Sequence, residues 1–274
     1  MPELPEVETI KRELRPRIRN KRINDCIILR ADVIAHPKPS SFCKDVVGEK
    51  ITDVTRKAKY LILELSNGKR IIIHLRLSGT MVLAPVDAEP EKFTRLVLKL
   101  DDRQLLFKEP RVLGRAYLVR NHEKPDNLKG FFRLGCEPIS LDFDFAYLRS
   151  KIKHRKARIK SLLLDQHICA GVGNIYADEA LYRAGIRPLR RAHRITKKET
   201  TKLIQSLKDV LHEGIANFGT SVSDYTRTDG KDGNFQKFLY VYGREDEPCR
   251  KCGTIIKLKK IGNRSTRYCP KCQR

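Results

Sequence analysis

Short apolar runs bounded by turn residues dominate the first part of the chain. Leu61-Ile62-Leu63-Glu64-Leu65 and Arg70-Ile71-Ile72-Ile73-His74-Leu75 flank Asn67-Gly68. An Asn-Gly pair between two such runs is a strong β-hairpin signal. Leu96-Val97-Leu98-Lys99-Leu100 and Gln104-Leu105-Leu106-Phe107 flank Asp101-Asp102-Arg103 in the same manner, and Ala116-Tyr117-Leu118-Val119 follows. Several short antiparallel strands within residues 23–119 predict a β-sandwich or barrel. Ahead of them, Val7, Ile10 and Leu14 fall at i, i+3 and i+7 on a short helix that Pro16 limits.

Beyond the strands the period becomes helical. Thr196-x-x-Glu199 is a capping box, and Leu203, Ile204, Leu207, Val210 and Leu211 form one apolar face ahead of Gly214. Upstream, residues 146–160 carry seven Lys or Arg and no acid, with Leu148, Ile152 and Ile159 as the buried side of a basic helix. Such a run is either a solvated face or a phosphate contact. Gly171-Val172-Gly173-Asn174 leads to an N-cap expected at Asn174, with outward amides forming a small anion site. Residues 219–234 are rich in Gly, Ser, Thr and Asp and read as a mobile loop. The expected division is an N-terminal unit at 1–130, a linker at 131–145, a helical unit at 146–240 that includes the 219–234 loop, and a C-terminal unit at 241–274.

Charge narrows the choice of partner. The 274 residues carry 57 Lys and Arg against 33 Asp and Glu, a formal net charge of +24. That excess points to a polyanion, nucleic acid before an anionic membrane. No apolar run approaches the ~20 residues of a membrane span, and the chain has no Trp to seat an interfacial helix. The acidic, proline-bearing start is unlike a signal peptide, so a cytoplasmic, nucleoid-associated protein is expected. Eight cysteines in such a chain argue against a disulfide framework. Cys26, Cys43, Cys136 and Cys169 are scattered and read as small buried apolar residues.

The other four cysteines are ordered. Cys249-x2-Cys252 and Cys269-x2-Cys272 are separated by 16 residues, the spacing of a four-thiolate zinc ribbon holding one structural Zn2+. From Cys249 to Arg274 there are nine Lys or Arg and no acid, so the metal would stiffen a basic hairpin bearing Lys257, Lys259, Lys260, Arg264 and Arg267 against phosphate. At the other end, removal of Met1 would leave Pro2 as a secondary amine. An α-amino group has a reference pKa of about 7.7–8.0, so a useful fraction is neutral and able to form an iminium with an aldehyde-like carbon. Glu3 sets a carboxylate beside it to move protons. The alternative reading of this segment is a stiff acidic start before a helix.

Taken in order, the motifs resemble the bacterial formamidopyrimidine-DNA glycosylases. The resemblance covers the whole chain: Pro2-Glu3-Leu4-Pro5-Glu6-Val7-Glu8, Ala58-Lys59-Tyr60-Leu61, Glu109-Pro110-Arg111, Leu164-Asp165-Gln166, Gly173-Asn174-Ile175-Tyr176, Val241-Tyr242-Gly243-Arg244 and the zinc ribbon. It implies an α+β multidomain fold: an N-terminal antiparallel β-sandwich with flanking helices, a helix–two-turn–helix domain and a C-terminal four-cysteine zinc finger, with damaged double-stranded DNA in the cleft between. It further implies a monomer that excises oxidised or ring-opened purines and nicks the strand by β,δ-elimination. Under the resemblance Pro2 attacks C1′, Glu3 is proton donor and acceptor, Lys59 serves phosphate contact and β-elimination, and Arg264 grips phosphates and assists δ-elimination. Asn174 matches a phosphate-binding asparagine, and Arg155 and Lys160 sit near family phosphate contacts. Flipping a base out of the duplex costs a few kcal/mol, which cations on the flanking phosphates offset.

The departures concern substrate. Where the family fills the vacated gap with Met, Arg and Phe, this chain has Leu77, Arg111 and Leu113. Leucine is an apolar wedge without aromatic stacking. Phe93 stands where the family often has a DNA-contacting histidine, and Ser223 where many members carry Lys or Arg. Two other readings are an endonuclease VIII-like glycosylase for oxidised pyrimidines and a non-catalytic zinc-finger damage binder. The first is disfavoured by the Pro-Glu-Leu-Pro start and the 219–234 loop, the second by the joint presence of Pro2, Glu3, Lys59 and Arg264.

Overall fold

The computed structural model describes residues 2–222 and 225–274. Ser223 therefore lies outside the described residues. The chain forms two compact units, one of Met1–Arg133 with Asn217–Asn234, the other of Leu134–Ala216 with Phe235–Arg274.

The first unit is built on two sheets. Strands β1 (Ile23–Ile28), β7 (Thr94–Leu100), β8 (Arg103–Lys108) and β6 (Thr80–Pro85) make one, in the order β1-β7-β8-β6. The other runs β2 (Ile34–His36), β9 (Arg115–Val119), β5 (Arg70–His74), β4 (Tyr60–Leu65) and β3 (Ile51–Lys57). Both hairpins form where the turn residues place them: Gly68 sits at φ 75° between β4 and β5, and β7 pairs with β8 across Asp101-Asp102. All pairs are antiparallel except β2 with β9, an edge pairing too short to leave a mark in the sequence. Leu61, Leu63, Ile71 and Ile73 share a core with Leu96, Leu98, Leu105 and Phe107 of the other sheet.

Helix α1 (Leu4–Ile18) closes this core with Val7, Ile10, Leu14 and Ile18, and α2 (Pro39–Val46) adds Phe42 and Val46. Residues 217–234, expected as a loop of the helical unit, belong to this first unit. Tyr225 is part of the same core, and the Glu13 carboxylate accepts from Arg227 Nε at 2.6 Å and from the Thr228 N–H at 3.0 Å. A short α3 (Lys129–Phe132) ends the first pass.

The second unit holds α4 (Phe145–Ile152), α5 (Ile159–Leu164), α6 (Asn174–Ala184), α7 (Lys197–Ala216) and the hairpin β10 (Lys257–Ile261)–β11 (Arg264–Tyr268). The capping box forms, with Thr196 N donating to Glu199 Oε2 at 2.9 Å and Glu199 N to Thr196 Oγ1 at 3.2 Å. The single basic helix expected over 146–160 is broken. Ile159 N donates to Arg190 O, Ala192 N to Ala157 O and His193 N to Arg155 O, so residues 155–159 bond laterally instead of continuing the helix. Of the scattered cysteines, Cys26 and Cys169 are buried and Cys43 and Cys136 half-buried. Among the described residues no helix is long and apolar enough to cross a membrane.

Candidate active site

Helix α1 runs along β3, pinned at successive points. Arg19 Nε donates to Thr52 O at 3.1 Å, Arg15 Nε lies 2.6 Å from Asp53 Oδ1, and Arg56 Nε lies 3.0 Å from Glu8 Oε2. From Arg15 to Glu8 the helix advances about 10 Å at ~1.5 Å per residue, and from Asp53 to Arg56 the strand advances about 10 Å at ~3.3 Å per residue. The two stay in step. From Glu8 to Glu3 is a further ~7–8 Å of helix, while β3 advances only about 3.3 Å from Arg56 to Lys57 before Ala58 and Lys59 turn the chain back into β4. The register thus directs the N-terminal end of α1 along β3 towards the β3–β4 turn that bears Lys59.

That turn is firmly built. Ala58 adopts φ 52°, and Arg56 donates to its carbonyl at 2.9 Å. The Glu8–Arg56 pair beneath is nearly buried, at 8% and 6% side-chain exposure. Burial opposes ionisation of Glu8, yet donors from Lys11, Arg56 and Arg12 overcome it and hold the carboxyl at about 2. Pro2 is buried, and Glu3 and Lys59 are 2% and 6% exposed. Glu3 caps α1, its N–H donating to Glu6 Oε2 at 2.7 Å, while Glu6 Oε1 accepts the Thr220 N–H at 2.8 Å. Glu6 thus links the start of α1 to the segment after α7, a contact that the motif reading passes over, although an acid three residues beyond a capping position is a readable signal.

His74 is a second residue beside the β3–β4 turn that the motif reading passes over. It pairs with Tyr60, the residue after Lys59, across β4–β5, and its ring meets Tyr60 edge-on at 4.4 Å. Desolvation, with help from Arg76 and Lys59, pushes its pKa down to about 3. The Arg76 N–H donates to Nδ1 at 3.0 Å, so the neutral ring keeps its proton on Nε2 as a donor. Leu77 is half-buried in the turn after β5, and Arg111 and Leu113 are exposed in the loop after β8. Phe93 is 40% exposed just ahead of β7, with Lys92 and Arg95 over its ring at 5.0 and 5.8 Å.

In the second unit the N-cap of α6 is Gly173, not Asn174. The Gly173 carbonyl accepts from Ala177 at 3.0 Å, the first helical bond, which makes Asn174 the first residue of the helix. Its Oδ1 is buried without a hydrogen-bond partner, and the helix N-terminus it opens keeps the character of an anion site. Arg155 is exposed in the break between α4 and α5.

Lys160 requires a correction. Expected at a phosphate, it is 0% exposed, with Nζ 2.7 Å from Asp178 Oδ1, 2.9 Å from Ser265 O and 3.0 Å from Thr266 Oγ1. The contact with Asp178 is an ion pair, and the ammonium donates hydrogen bonds to Ser265 O and Thr266 Oγ1. Lys160 therefore ties β11 to α6, and Arg264, exposed at the start of β11, is carried by that tie. Glu179, beside Asp178, is likewise buried and accepts the N–H groups of Tyr240, Val241 and Tyr242, each at 2.9 Å.

The four ordered cysteines converge. Their sulfurs all lie within 4.8 Å of one another, with Cys249–Cys272 at 3.9 Å and Cys252–Cys269 at 3.5 Å. A tetrahedron with Zn–S of about 2.3 Å has edges of about 3.8 Å, so the cluster fits one structural Zn2+. Tyr182 Oη lies 3.3 Å from Cys249 Sγ and abuts the cluster from α6.

Comparisons with known proteins agree with this arrangement. Residues 1–116 match the formamidopyrimidine-DNA glycosylase N-terminal domain, residues 134–226 the H2TH domain of the same enzymes, and residues 246–274 the zinc finger found in FPG and IleRS. The formamidopyrimidine-DNA glycosylase of Desulfitobacterium hafniense is 44% identical over 273 residues, covering 100% of both chains. That of Pelotomaculum thermopropionicum is 43% identical over 275 residues, covering 100% of this chain and 99% of the relative. Among solved structures, a Lactococcus lactis FPG mutant in complex with Fapy-dG-containing DNA aligns with TM-score 0.91 at 34% identity over 99% of both chains. MutM (FPG) from Thermus thermophilus aligns with TM-score 0.90 at 37% identity over 99% of this chain and 98% of that one.

Proposed function

The chain belongs to the formamidopyrimidine-DNA glycosylase family, and from that premise we propose how its own residues conduct the reaction. It is a DNA-repair glycosylase with abasic-site lyase activity on damaged DNA, and its substrates are oxidised or ring-opened purines. The nitrogen of Pro2, freed by removal of Met1, attacks C1′ of the damaged nucleotide. The glycosidic bond breaks, its electron pair leaves with the base, and the sugar ring opens as Glu3 protonates the ring oxygen. The resulting iminium acidifies the C2′ proton. Its removal expels the 3′ phosphate, a second elimination expels the 5′ phosphate, and water releases Pro2.

Lys59 neutralises phosphate charge during these eliminations, joined by the Nε2–H of His74. Arg264 does the same from the finger hairpin, and Asn174 and Arg155 hold flanking phosphates. Leu77, Arg111 and Leu113 fill the gap left by the flipped nucleotide, with Phe93 and Ser223 standing at positions of substrate contact. Zn2+ supplies no step: it holds the fold of the finger that presents Arg264. Acting on chromosomal DNA, the enzyme works in the cytoplasm at the nucleoid.

What supports this reading most is the register of α1 on β3, pinned by the Glu8–Arg56 pair, together with the burial of Glu3 and Lys59. Borohydride should trap a covalent protein–DNA adduct at Pro2. An N-terminal extension that places Pro2 nitrogen in a peptide bond should abolish trapping while leaving DNA binding. Undiminished trapping with the extension in place would make another amine the nucleophile.

A further inference from the structure

Glu109 is wholly buried, and its hydrogen bonds lead to loops that carry gap-filling or substrate-facing residues. Its Oε1 accepts the Ser78 hydroxyl and, at 3.0 Å, the Arg111 N–H; its Oε2 accepts the Gly114 N–H at 2.9 Å. Ser78 follows Leu77, and Gly114 follows Leu113. The backbone of Glu109 extends the network, its N–H donating to Phe93 O at 2.9 Å and its carbonyl accepting from Arg95 Nε at 2.9 Å. The turn after β5, the loop after β8 and the approach to β7 are therefore joined through one residue.

The surrounding backbone is shaped for that carboxylate. A Cβ on Gly114 would stand 2.7 Å from Oε2 and 2.6 Å from the Phe107 ring, and one on Gly79 would stand 3.1 Å from Oε2 and 2.5 Å from Leu75 O. Arg76, Phe93 and Val112 all adopt left-handed φ, at 56°, 69° and 55°. Bulky and β-branched residues persist there only when their surroundings over-determine them. These three are the immediate neighbours of Leu77, Arg111 and Leu113, or Phe93 itself.

We propose that Glu109 is the positioning residue that makes the Leu77 turn and the Arg111–Leu113 loop one rigid wedge, and so sets discrimination of the base opposite the lesion. The proposal rests on the assignment of Leu77, Arg111 and Leu113 to the vacated gap. A carboxylate is required because it only accepts. The Arg111 N–H faces one oxygen and the Gly114 N–H the other, so an amide in either orientation turns its NH2 toward a backbone donor. Arg111 then loses the fixed start from which it meets the orphaned base.

The test is insertion itself. Duplexes carrying 2-aminopurine opposite a tetrahydrofuran abasic analogue report unstacking of the orphaned base by stopped-flow fluorescence. Glu109→Gln should slow that phase at least ~tenfold, the scale of one buried donor left facing another donor. It should also flatten the ratio of kcat/KM for cytosine against adenine opposite 8-oxoguanine. Ser78→Ala, which removes one donor of the three, should shift both readouts in the same direction but less. The combined Leu77→Ala and Leu113→Ala variant separates the premises. If it leaves insertion unchanged, the wedge assignment fails. If it abolishes insertion while zinc-loaded, folded Glu109→Gln retains wild-type insertion and base discrimination, the role of Glu109 is overturned. Should Glu109→Gln not fold, Glu109→Asp, which withdraws the carboxylate by one methylene, and Ser78→Ala decide the matter by the same two readouts.

Discussion

Replacing Lys160 by alanine distinguishes burial from phosphate contact by two independent measurements. Lys160 and Asp178 are both 0% exposed and 2.7 Å apart. Above about pH 7, where Asp178 is ionised in the folded state, removing one partner of a buried pair leaves the other charge uncompensated, at about 3–5 kcal/mol. A surface lysine on phosphate would instead contribute to DNA affinity through counterion release, and its loss would reduce the log–log salt slope by ~0.9. The structure requires the first effect and excludes the second. Urea unfolding of the zinc-loaded protein should show the destabilisation, and anisotropy titrations across a salt series should show weaker binding with an unchanged slope, since β11 loses its tie. The paired change Lys160→Met with Asp178→Asn should restore part of the stability, because it removes both charges of the buried pair while the amide oxygen still accepts the Arg267 N–H.

The same pair has a pH signature. Burial raises the Asp178 carboxyl from 3.8 to about 7 against the pull of Lys160. Between those values the folded state keeps a proton that the unfolded chain has released, so stability falls as pH rises through that window. Asp178→Asn should flatten the decline. A folded Lys160→Ala protein with wild-type stability and a salt slope reduced by about one would refute the burial argument.

Three further outcomes are expected. One Zn2+ per chain should co-purify, and Cys269→Ser should lose it together with DNA affinity, because a zinc ribbon folds around its metal; a metal-free protein with full affinity would contradict this. Leu77→Met with Leu113→Phe should raise 8-oxoguanine excision more than abasic-site cleavage, since base–aromatic stacking is worth ~1–3 kcal/mol and poorly stacked abasic sites need less of it; equal effects on both substrates would move attention to Phe93 and Ser223. His74, with a folded pKa of about 3 against 6.5 in the unfolded chain, stabilises above pH 6.5 and loses that contribution as pH falls between these values, so His74→Gln should unfold less steeply with acid in circular-dichroism melts.

Local signals carry the architecture. Asn67-Gly68 sets a hairpin, the capping box sets the start of α7, and two CxxC pairs set a metal cluster, each within a few residues of chain. What stays hidden depends on distant partners. Lys160 in a run of seven cations is indistinguishable from its solvated neighbours until Asp178 is seen beneath it. A trace of this is present, since Asp178 and Glu179 interrupt the apolar Ile175–Tyr182 stretch and buried acids require partners. The break between α4 and α5 arises from lateral bonds to residues 190–193, which no periodicity encodes. Glu109 is legible as part of a motif with Arg111, but its bonds to Ser78 and Gly114 close only in three dimensions.

Tyr225 in the core of the first unit has a consequence for biogenesis. The chain leaves that unit after Arg133, returns at Asn217 and leaves again after Asn234. A nascent polypeptide that has emerged through Arg133 thus lacks the tyrosine that completes its core and the Thr220, Arg227 and Thr228 groups that meet Glu6 and Glu13. At roughly 5–20 residues per second, the ribosome needs on the order of 5–20 s to supply them. Over that interval the N-terminal segment is synthesised but its unit is unfinished, so the second unit is largely made before the first can close. A truncated chain ending at Arg133 should accordingly be sensitive to protease, whereas a chain in which residues 217–234 are joined directly after Arg133 should be less so.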